Sequence, residues 1–593
     1  MKAIKLPWRL PIWLALPALG ILVMILIIPA VQLFLVSLKQ PDYSLANYQA
    51  FFLQSSNVRV LLQTLEISLV VTGLCLLIGY PTAYAIVMVS ARLRMTLIVL
   101  ILIPYLTSFL ARTYAWIVIL GDNGLVNNLL RNIGAIDTPL PLLYTRLAVY
   151  VGMVHIMLPL MILPLVSVMM GIDKSLPMAA RSMGARPLSA FWRVFFPLSL
   201  PGVRSGTLLV FVLCLGFYIT PAALGGLGDA MLSTFIAAES KSVFDLGRVA
   251  TSAFVLLLIA MIVLSIMGLD LSGSSSRAST TRRGGSWRNR LRVPGRVASQ
   301  VFELTAKYRR KRWAAERLRI KSGGDLGVLL GSAIVSLVLA FLLFPGVVVI
   351  IMSFSAGAYL EFPPSGISLQ WYRSFFSDPS WTSAASTSIQ IGAAVTLVST
   401  FAGTLAAYGM SDVNPALRKT LTMVVLTPIT MPVIVVGIAV YYAFIKMSLI
   451  GSTWGIVLAQ SIGATSYVVV IVSATLANFD RRLEQAAMSL GAGPIRTFRR
   501  VTLPLILPGI AGGAVFAFIH SFDEVVITSL VSGYSVKTLP LKMWENIRHT
   551  IDPTIAAVSS LLMLLPVLWL VAIYFTWWRS IKSPAFLSSR GDV

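Results

Sequence analysis

The sequence predicts an all-α polytopic membrane protein with twelve transmembrane helices, arranged as two parallel six-helix halves. The chain of 593 residues is 57% hydrophobic and 12% charged, with a mean hydropathy of +0.85, which is too apolar for a soluble protein. Apolar segments of about 20 residues, long enough to cross a bilayer as helices, recur along it. One 29-residue polar pattern also occurs twice, 307 positions apart.

Twelve apolar segments reach the length of a membrane-spanning helix. They lie near residues 11–38, 60–89, 95–120, 147–170, 203–224, 248–269, 326–354, 384–409, 420–447, 454–477, 509–531 and 554–577. With a cytosolic N-terminus, and with Arg204 and Arg248 at span edges counted in the adjoining loops, 35 of the 47 Lys and Arg residues fall on the cytosolic side of this topology and 10 on the outer side. This asymmetry follows the positive-inside rule and predicts cytosolic N- and C-termini. The net charge of +25 therefore reflects membrane topology, and no nucleic-acid partner is expected because no aromatic or base-reading residues accompany the cations.

A basic linker divides the chain into two halves, 1–270 and 326–593. Residues 271–325 contain 15 Lys and Arg against three acidic residues, and their Ser/Gly-rich first part is typical of a flexible linker. The later part, from about 301 to 320, fits either a basic helix on the anionic inner leaflet or a solvated connector. The flanking halves match, since SLANYQAFF at 44–52 parallels SLQWYRSFF at 368–376. Parallel halves predict pseudo-twofold symmetry about the membrane normal, with a pathway between them.

The repeated pattern reads SLPMAARSMGARPLSAFWRVFFPLSLPGV at 175–203 and RLEQAAMSLGAGPIRTFRRVTLPLILPGI at 482–510, with 15 identical positions. Each copy is too charged to span a membrane and lies between the fourth and fifth span of its half. It predicts a cytosolic helix-turn-helix that faces a partner protein. Paired alanines favour a short helix, and Gly184 and Gly491 suit the turn at its end. The two prolines that follow in each copy (Pro197 and Pro201, Pro504 and Pro508) are expected to end this element.

These residues resemble the EAA signature of the MetI-like permeases of binding-protein-dependent ABC importers. The second copy carries Glu484 at the signature glutamate, whereas the first has Pro177 there. In that family the loop is a coupling helix that docks into a groove of a cytosolic ATPase. The resemblance therefore implies two ATPase-docking loops, formed by Ala179, Ala180, Arg181, Gly184 and Ala185 in one half and by Glu484, Ala486, Ala487, Gly491 and Ala492 in the other.

The resemblance extends over nearly the whole chain apart from the linker. The segments RTYAWIVILGDNGLVNNLL at 112–130 and ITPAALGG at 219–226 are similar to the first permease subunit of spermidine/putrescine importers. The segments FDEVVIT at 522–528 and IDPTIAAVSSLL at 551–562 are similar to the second. The chain thus resembles both subunits fused through the linker, which implies a multi-pass protein of the bacterial inner membrane.

The resemblance also implies the partners and the mechanism. The sequence contains no GxxxxGK[ST] phosphate-binding loop, so ATP and Mg²⁺ are expected on separate ATPase subunits and no cofactor on this chain. Two copies of the cytosolic ATPase subunit and a periplasmic solute-binding protein are the expected partners, with membrane lipid around the spans. ATP-driven alternating access would carry a small polar solute into the cytosol: a polyamine or a related amine, opine or aminophosphonate.

Charged and aromatic side chains inside the predicted spans are candidates for the pathway or its gate, because ionisable groups at membrane depth tend to face a cavity or a partner. They are Arg112, Tyr114, Trp116, Tyr218, Asp523 and Glu524. The two carboxylates suit a cationic amine, and the aromatic faces suit its ammonium. Arg112 suits an anionic solute instead, and a structural pair of Arg112 with a span-11 carboxylate is the alternative. Three scattered histidines give no metal-ligand spacing, so no metal site is expected.

Two other classes of protein fit the pattern less well. A major-facilitator-type secondary transporter also has twelve spans in two halves, but its signature lies between spans 2 and 3. Here that loop, around 91–94, is very short, and the repeated pattern lies between spans 4 and 5. A membrane-embedded enzyme using His520, Asp523 and Glu524 would explain neither the repeated loop nor the twofold plan.

Overall fold

The computed structural model describes residues 12–38, 43–242, 245–266, 329–357, 361–533, 535–549, 552–564 and 567–568. Within these ranges the chain forms helices joined by turns, and no β-strand occurs. The all-helical, multi-span fold predicted from the sequence is confirmed. The linker predicted at 271–325 lies outside the described residues, so the division into two domains stays a prediction.

The first part of the chain contains twelve described helices. In order, they are α1 (Trp13–Ser37), α2 (Ala46–Leu53), α3 (Ser55–Met88), α4 (Ala91–Leu106), α5 (Phe109–Leu120), α6 (Leu125–Asn132), α7 (Arg146–Met170), α8 (Ser175–Ser182), α9 (Pro187–Leu215), α10 (Ile219–Leu224), α11 (Leu232–Ser242) and α12 (Leu246–Ile266).

The second part repeats this order, except that its described residues contain no counterpart of α6. Its described helices are α13 (Leu329–Ser353), α14 (Gln370–Ser377), α15 (Pro379–Met410), α16 (Pro415–Thr430), α17 (Val433–Lys446), α18 (Thr453–Ala477), α19 (Arg482–Ser489), α20 (Pro494–Phe522), α21 (Val526–Val531), α22 (Leu539–His549) and α23 (Thr554–Leu564).

Nine helices of the described residues are long and apolar enough to cross a membrane: α1, α3, α7, α9, α12, α13, α15, α18 and α20. Two predicted spans, near 95–120 and 420–447, are instead sharply bent pairs. The helix axis turns by 89° after α4 and by 97° between α16 and α17. Counting each pair as one span gives eleven in the described part of the chain, so the predicted number of twelve is not confirmed. Of the predicted twelfth span, near 554–577, α23 is described and most of the remainder lies outside the described residues.

The helices after the repeated loops begin earlier than the sequence predicts. The prolines expected to end the loop element lie inside α9 and α20, so that expectation is wrong. A π-helical turn, Phe191–Phe195 in α9 and Phe498–Thr502 in α20, comes shortly before Pro197 and Pro504 respectively. This wider turn changes the hydrogen-bond pattern where proline offers no N–H, and the helix continues.

The first helix of each half packs against the other half. Helix α1 lies along α15, and Leu14 lies beside Gly409 near the end of α15. In return, Gly331 near the start of α13 lies beside Ala85 near the end of α3. Because α3 and α15 end where the repeated loops are attached, both crossing helices begin at the loop end of the bundle.

Candidate functional site

Two short helices, α8 and α19, connect the long helices α7 to α9 and α18 to α20. Both begin with the same aspartate cap. The backbone N–H of Ser175 donates to Asp173 Oδ1 at 2.8 Å, and that of Arg482 donates to Asp480 Oδ1 at 3.0 Å. Hydrogen bonds from the backbone and side chain of Ser175 hold the pKa of Asp173 below its ordinary value. The two loops therefore share their starting geometry as well as their sequence.

A glycine turn ends each short helix. Gly184 has φ +92° and Gly491 has φ +85°, in the left-handed region that other residues rarely adopt. The N–H of Ala185 then donates to the carbonyl of Ala180 at 3.0 Å, and the matching bond in the second loop measures 3.1 Å. This is the helix-ending turn predicted from the sequence, and it is present in both copies.

Both loops expose bulky apolar side chains beside this turn. Met183 is 81% exposed and its counterpart Leu490 is 89% exposed. Such side chains outside the spans are typical of a surface that binds another protein. Among the predicted docking residues, Ala179, Arg181, Gly184, Ala486 and Gly491 are exposed, Ala185, Ala487 and Ala492 are half-buried, and Ala180 and Glu484 are buried. Their role in docking stays a prediction.

The break between α4 and α5 is capped by a carboxylate from the other half of the chain. Ser108 Oγ donates to Asp523 Oδ1 at 2.5 Å, and the N–H of Phe109 donates to the two oxygens of the same carboxylate at 3.2 and 3.1 Å. Asp523 directly follows α20 and caps the N-terminus of α5, where a negative charge is stabilised by the helix dipole. Residues 110–120 of α5 are all buried.

Arg112 holds the same break from within the first half. Its Nη2 donates to the carbonyl of Thr107 at 3.1 Å and its Nε to that of Ser108 at 3.5 Å. The guanidinium lies 4.8 Å from the centre of the Phe109 ring. The sequence suggested a pair of Arg112 with a span-11 carboxylate. In the structure, both residues bind the same helix break. Arg112 donates to the carbonyl oxygens of the break, and Asp523 accepts from its N–H and hydroxyl donors.

At the corresponding junction, where the first half meets the break between α16 and α17, no carboxylate caps the break among the described residues. Gly216 occupies the place of Asp523 in the repeat and packs against the break before α17. A Cβ atom at Gly216 would lie 2.8 Å from the Cα of Pro432, so only glycine permits this approach. The two junctions between the halves are therefore unequal, since one is a charged cap and the other a close backbone contact.

Comparison with known proteins identifies the family. The family model "Binding-protein-dependent transport system inner membrane component" matches residues 399–548. The spermidine/putrescine transport system permease protein PotB of Salmonella typhimurium strain LT2 is 33% identical over 224 residues, which is 38% of this chain and 78% of that protein. The chain belongs to this permease family.

Two further relatives of this permease are also named as polyamine permeases. PotB of Escherichia coli K12 is 34% identical over 203 residues, covering 34% of the chain and 74% of that protein. The putrescine transport system permease protein PotI of the same organism is 31% identical over 233 residues, covering 38% and 82%. A solved structure of a bacterial ABC transporter involved in the import of the acidic polysaccharide alginate is 20% identical and covers 42% of the chain and 92% of its own, with a TM-score of 0.33.

The predicted aromatic residues of the permease pathway are buried. Tyr114 and Trp116 lie on α5, and the Trp116 ring is centred 5.7 Å from that of His155. Tyr218, in the first half, packs its ring 5.4 Å from that of Trp544 in the second half. These residues lie in the buried core of the permease, and their role in a pathway stays a prediction.

The second predicted carboxylate, Glu524, forms its hydrogen bonds within its own half of the chain. It accepts hydrogen bonds from the N–H of Ile527 at 2.7 Å and from the N–H of Thr528 at 2.9 Å, and so caps α21. In this conformation Glu524 and Asp523 both cap helices. Among the described residues of the permease, no three His, Cys, Asp or Glu side chains lie together as metal ligands.

Three contacts of the site were not predicted from the sequence. Ser108 was not singled out, although it forms the shortest bond between the halves at Asp523. Tyr408 and Thr502 were not connected with Glu484, although both bind its carboxylate. Aligning the halves pairs Tyr408 with Tyr84, but sequence spacing alone does not show that either tyrosine reaches a loop.

Proposed function

We propose that this permease imports a small amine of the polyamine class and is driven by two copies of a cytosolic ATPase subunit. The observation that carries the proposal is the presence of two matching loops. Each has an aspartate cap, a glycine in the left-handed region and an exposed apolar residue, Met183 or Leu490. Two loops with the same cap and the same glycine turn suit two copies of one subunit. ATP and Mg²⁺ bind to those subunits, and this chain binds no cofactor of its own.

The charge distribution and the length of α20 support one orientation of the permease in the membrane. The cationic loops face the cytosol, together with the chain termini. Helix α20 has 29 residues from Pro494 to Phe522, which is about 43 Å of helix at 1.5 Å per residue. The Asp523 junction thus lies at the end of α20 far from the loops, on the outer side of the membrane. A periplasmic solute-binding protein would deliver its solute on this side.

The capped junction is the closed outer gate in this mechanism. When the ATPase subunits close, they draw the two loops together, and the halves separate at the Asp523 and Gly216 junctions. Separation breaks the bonds of Asp523 to Ser108 and Phe109 and uncovers the buried face of α5. After hydrolysis the cap forms again, and the solute leaves toward the cytosol. The gate closes behind the solute because Ser108 and Phe109 donate again to the Asp523 carboxylate.

The solute class is supported by the similarity to PotB and PotI, whose names specify spermidine and putrescine. Once the halves separate, the freed carboxylate of Asp523 attracts a cationic amine, and Tyr114, Trp116 and Tyr218 offer aromatic faces to an ammonium. One observation favours a second class, solutes with an anionic group, since Arg112 Nη1 is buried without a hydrogen-bond partner in the described structure. Opines and aminophosphonates carry both kinds of charge.

A solute panel tests the proposal. The chain would be reconstituted in liposomes with its ATPase subunits and its solute-binding protein, and uptake of labelled putrescine, spermidine, an opine and an aminophosphonate would be compared. We expect saturable uptake of the polyamines. Uptake of the opine or the aminophosphonate alone would assign the site to the second class, and uptake of none of the four would refute both.

A further inference from the structure

The signature glutamate of the second loop points into the protein. Glu484 is buried, and its Oε1 accepts hydrogen bonds from Thr502 Oγ1 at 2.5 Å and from the Tyr408 hydroxyl at 3.1 Å. Tyr408 lies near the end of α15, and Thr502 lies in the π-helical turn of α20. The carboxylate thus connects the docking helix α19 to two long helices. Hydrogen bonds to a carboxylate are about twice as strong as neutral ones.

In the first loop, both the glutamate and one of its hydroxyl donors are replaced by apolar residues. Pro177 stands at the position of Glu484, and Phe195 at the position of Thr502. The tyrosine is retained as Tyr84, whose ring now packs edge-on against Phe195, with 5.0 Å between the ring centres. An acceptor and one of its donors are both missing, and aromatic packing takes their place. The difference between the loops is therefore a consistent exchange of polar bonds for apolar contact.

Both loops have a basic residue just before the docking helix, and this residue also forms more polar contacts in the second loop than in the first. Lys174 Nζ donates to the carbonyl of Val87 at 3.3 Å. At the equivalent place, Arg481 Nη2 donates to the carbonyl of Ser411 at 3.0 Å. Arg481 also forms an ion pair with Asp412, where the first half has a methionine. The second loop thus keeps the shared bond and adds an ion pair to it.

These contacts constrain the two loops differently. Hydrogen bonds fix both distance and direction, because they weaken steeply when the donor angle departs from linear. An edge-on aromatic contact tolerates a range of separations, from about 4.5 to 7 Å between ring centres. A force applied to α19 therefore moves α15 and α20 with it. The Tyr84–Phe195 contact joins α3 to α9 and includes no residue of α8. Because the Pro177 side chain cannot form a hydrogen bond, α8 can shift against α3 and α9 more freely than α19 can shift against α15 and α20.

We infer that Glu484 is a positioning residue that locks the second docking loop to α15 and α20, and that the two loops transmit ATPase motion unequally. The second loop acts as the rigid connection and the first as the compliant one. This inference rests on the proposed ATP-driven function. It assigns the signature glutamate to the inside of the permease, so its loss should impair coupling while the docking surface around Leu490 remains.

Removing the donors tests the inference with little change of shape. The double variant Tyr408→Phe with Thr502→Val deletes both hydroxyl groups that bind Glu484. Solute moved per ATP hydrolysed would be measured in liposomes, together with the affinity for the ATPase subunit. We expect the transport ratio to fall at least threefold while the affinity stays within twofold of wild type. Tyr84→Phe is the matched control, because it removes the same group from the first loop, and its ratio should be unchanged.

Variants of the glutamate itself provide the second arm. Glu484→Gln keeps an oxygen that accepts from both hydroxyl groups, so it should retain more than half of the wild-type ratio, whereas Glu484→Ala should match the double variant. If Glu484→Ala fails to insert, the hydroxyl variants still decide the question. A wild-type ratio in the double variant, or a loss of ATPase affinity equal to the loss of transport, would overturn the inference. A wild-type chain without ATP-dependent uptake would instead overturn the proposed function, and the inference with it.

Discussion

Removal of the Asp523 carboxylate should open the gate between the halves. In the described conformation, which we propose to be the closed one, this group accepts one bond from Ser108 and shares the N–H of Phe109 between its two oxygens. Asp523→Ala deletes the acceptor without adding bulk. The closed state loses a helix cap from the other half, whereas the open state, in which that cap is already broken, loses nothing. The substitution therefore shifts the equilibrium toward the open state.

The size of the shift follows from the contacts. Loss of an N-cap residue costs about 0.5–2 kcal/mol, and a hydrogen bond to a charged group contributes about 1.5–3 kcal/mol. Taking about 2 kcal/mol for the junction, the ratio of closed to open permease falls about 30-fold, since 1.4 kcal/mol is a factor of ten. Ser108→Ala removes only one donor, so about 1 kcal/mol and a fivefold shift are expected.

Basal ATPase activity reports this equilibrium. In the proposed mechanism, the closed permease restrains the ATPase subunits when the solute-binding protein is absent. In liposomes without that protein, Asp523→Ala should therefore raise the basal ATPase rate toward the fully stimulated rate, with Ser108→Ala between wild type and Asp523→Ala. Asp378→Ala is the matched control, because Asp378 caps α15 through Ser380 within one half and should leave the basal rate unchanged. A basal rate for Asp523→Ala equal to that of wild type would refute the assignment of the junction as the gate.

Three further predictions concern the loops and the second junction. Leu490→Glu places a charge at a position that is 89% exposed in the free chain. Because burying a leucine contributes about 1.5–3 kcal/mol, a binding titration should show the affinity for the ATPase subunit reduced on the order of 10- to 100-fold. An unchanged affinity would remove Leu490 from the docking surface. Gly491→Ala strains a backbone with φ +85° by about 1 kcal/mol, so the same titration should show about a fivefold loss, whereas full affinity would mean that docking does not need this turn. Gly216→Ala forces a Cβ against Pro432 at 2.8 Å; such overpacking costs about 1–3 kcal/mol and should raise basal ATPase activity, and a normal rate would show that this junction does not restrain the halves.

Much of the fold was predictable because the bilayer imposes simple rules on a sequence. Long apolar segments correspond to long helices, and the repeated pattern marks the two loops with their glycine turns at Gly184 and Gly491. The bends at 107–108 and 431–432 were not predicted, because an apolar run looks the same whether its helix is straight or broken. The helical prolines were wrongly expected to end the loop element, since π-helical turns are not visible in hydrophobic periodicity.

The functional site was predictable only as a set of residues. Charge within a span was sufficient to select Arg112 and Asp523, because such groups are costly there unless they are bound. Sequence could not show that both bind one helix break, because all of their partners there except the Ser108 hydroxyl are backbone groups, which carry no sequence signal. The inward direction of Glu484 was hidden for a similar reason, since its bonds depend on how α15 packs against α20.

The most direct test of the account is the energy source of transport. The purified chain would be reconstituted in liposomes with its ATPase subunits and solute-binding protein, and uptake of labelled putrescine or spermidine would be measured with ATP, with a non-hydrolysable analogue, and with an imposed proton or sodium gradient. We predict uptake that requires hydrolysable ATP and both partner proteins, and none from an ion gradient alone. Gradient-driven uptake by the chain without its partners would contradict the account and indicate a secondary transporter.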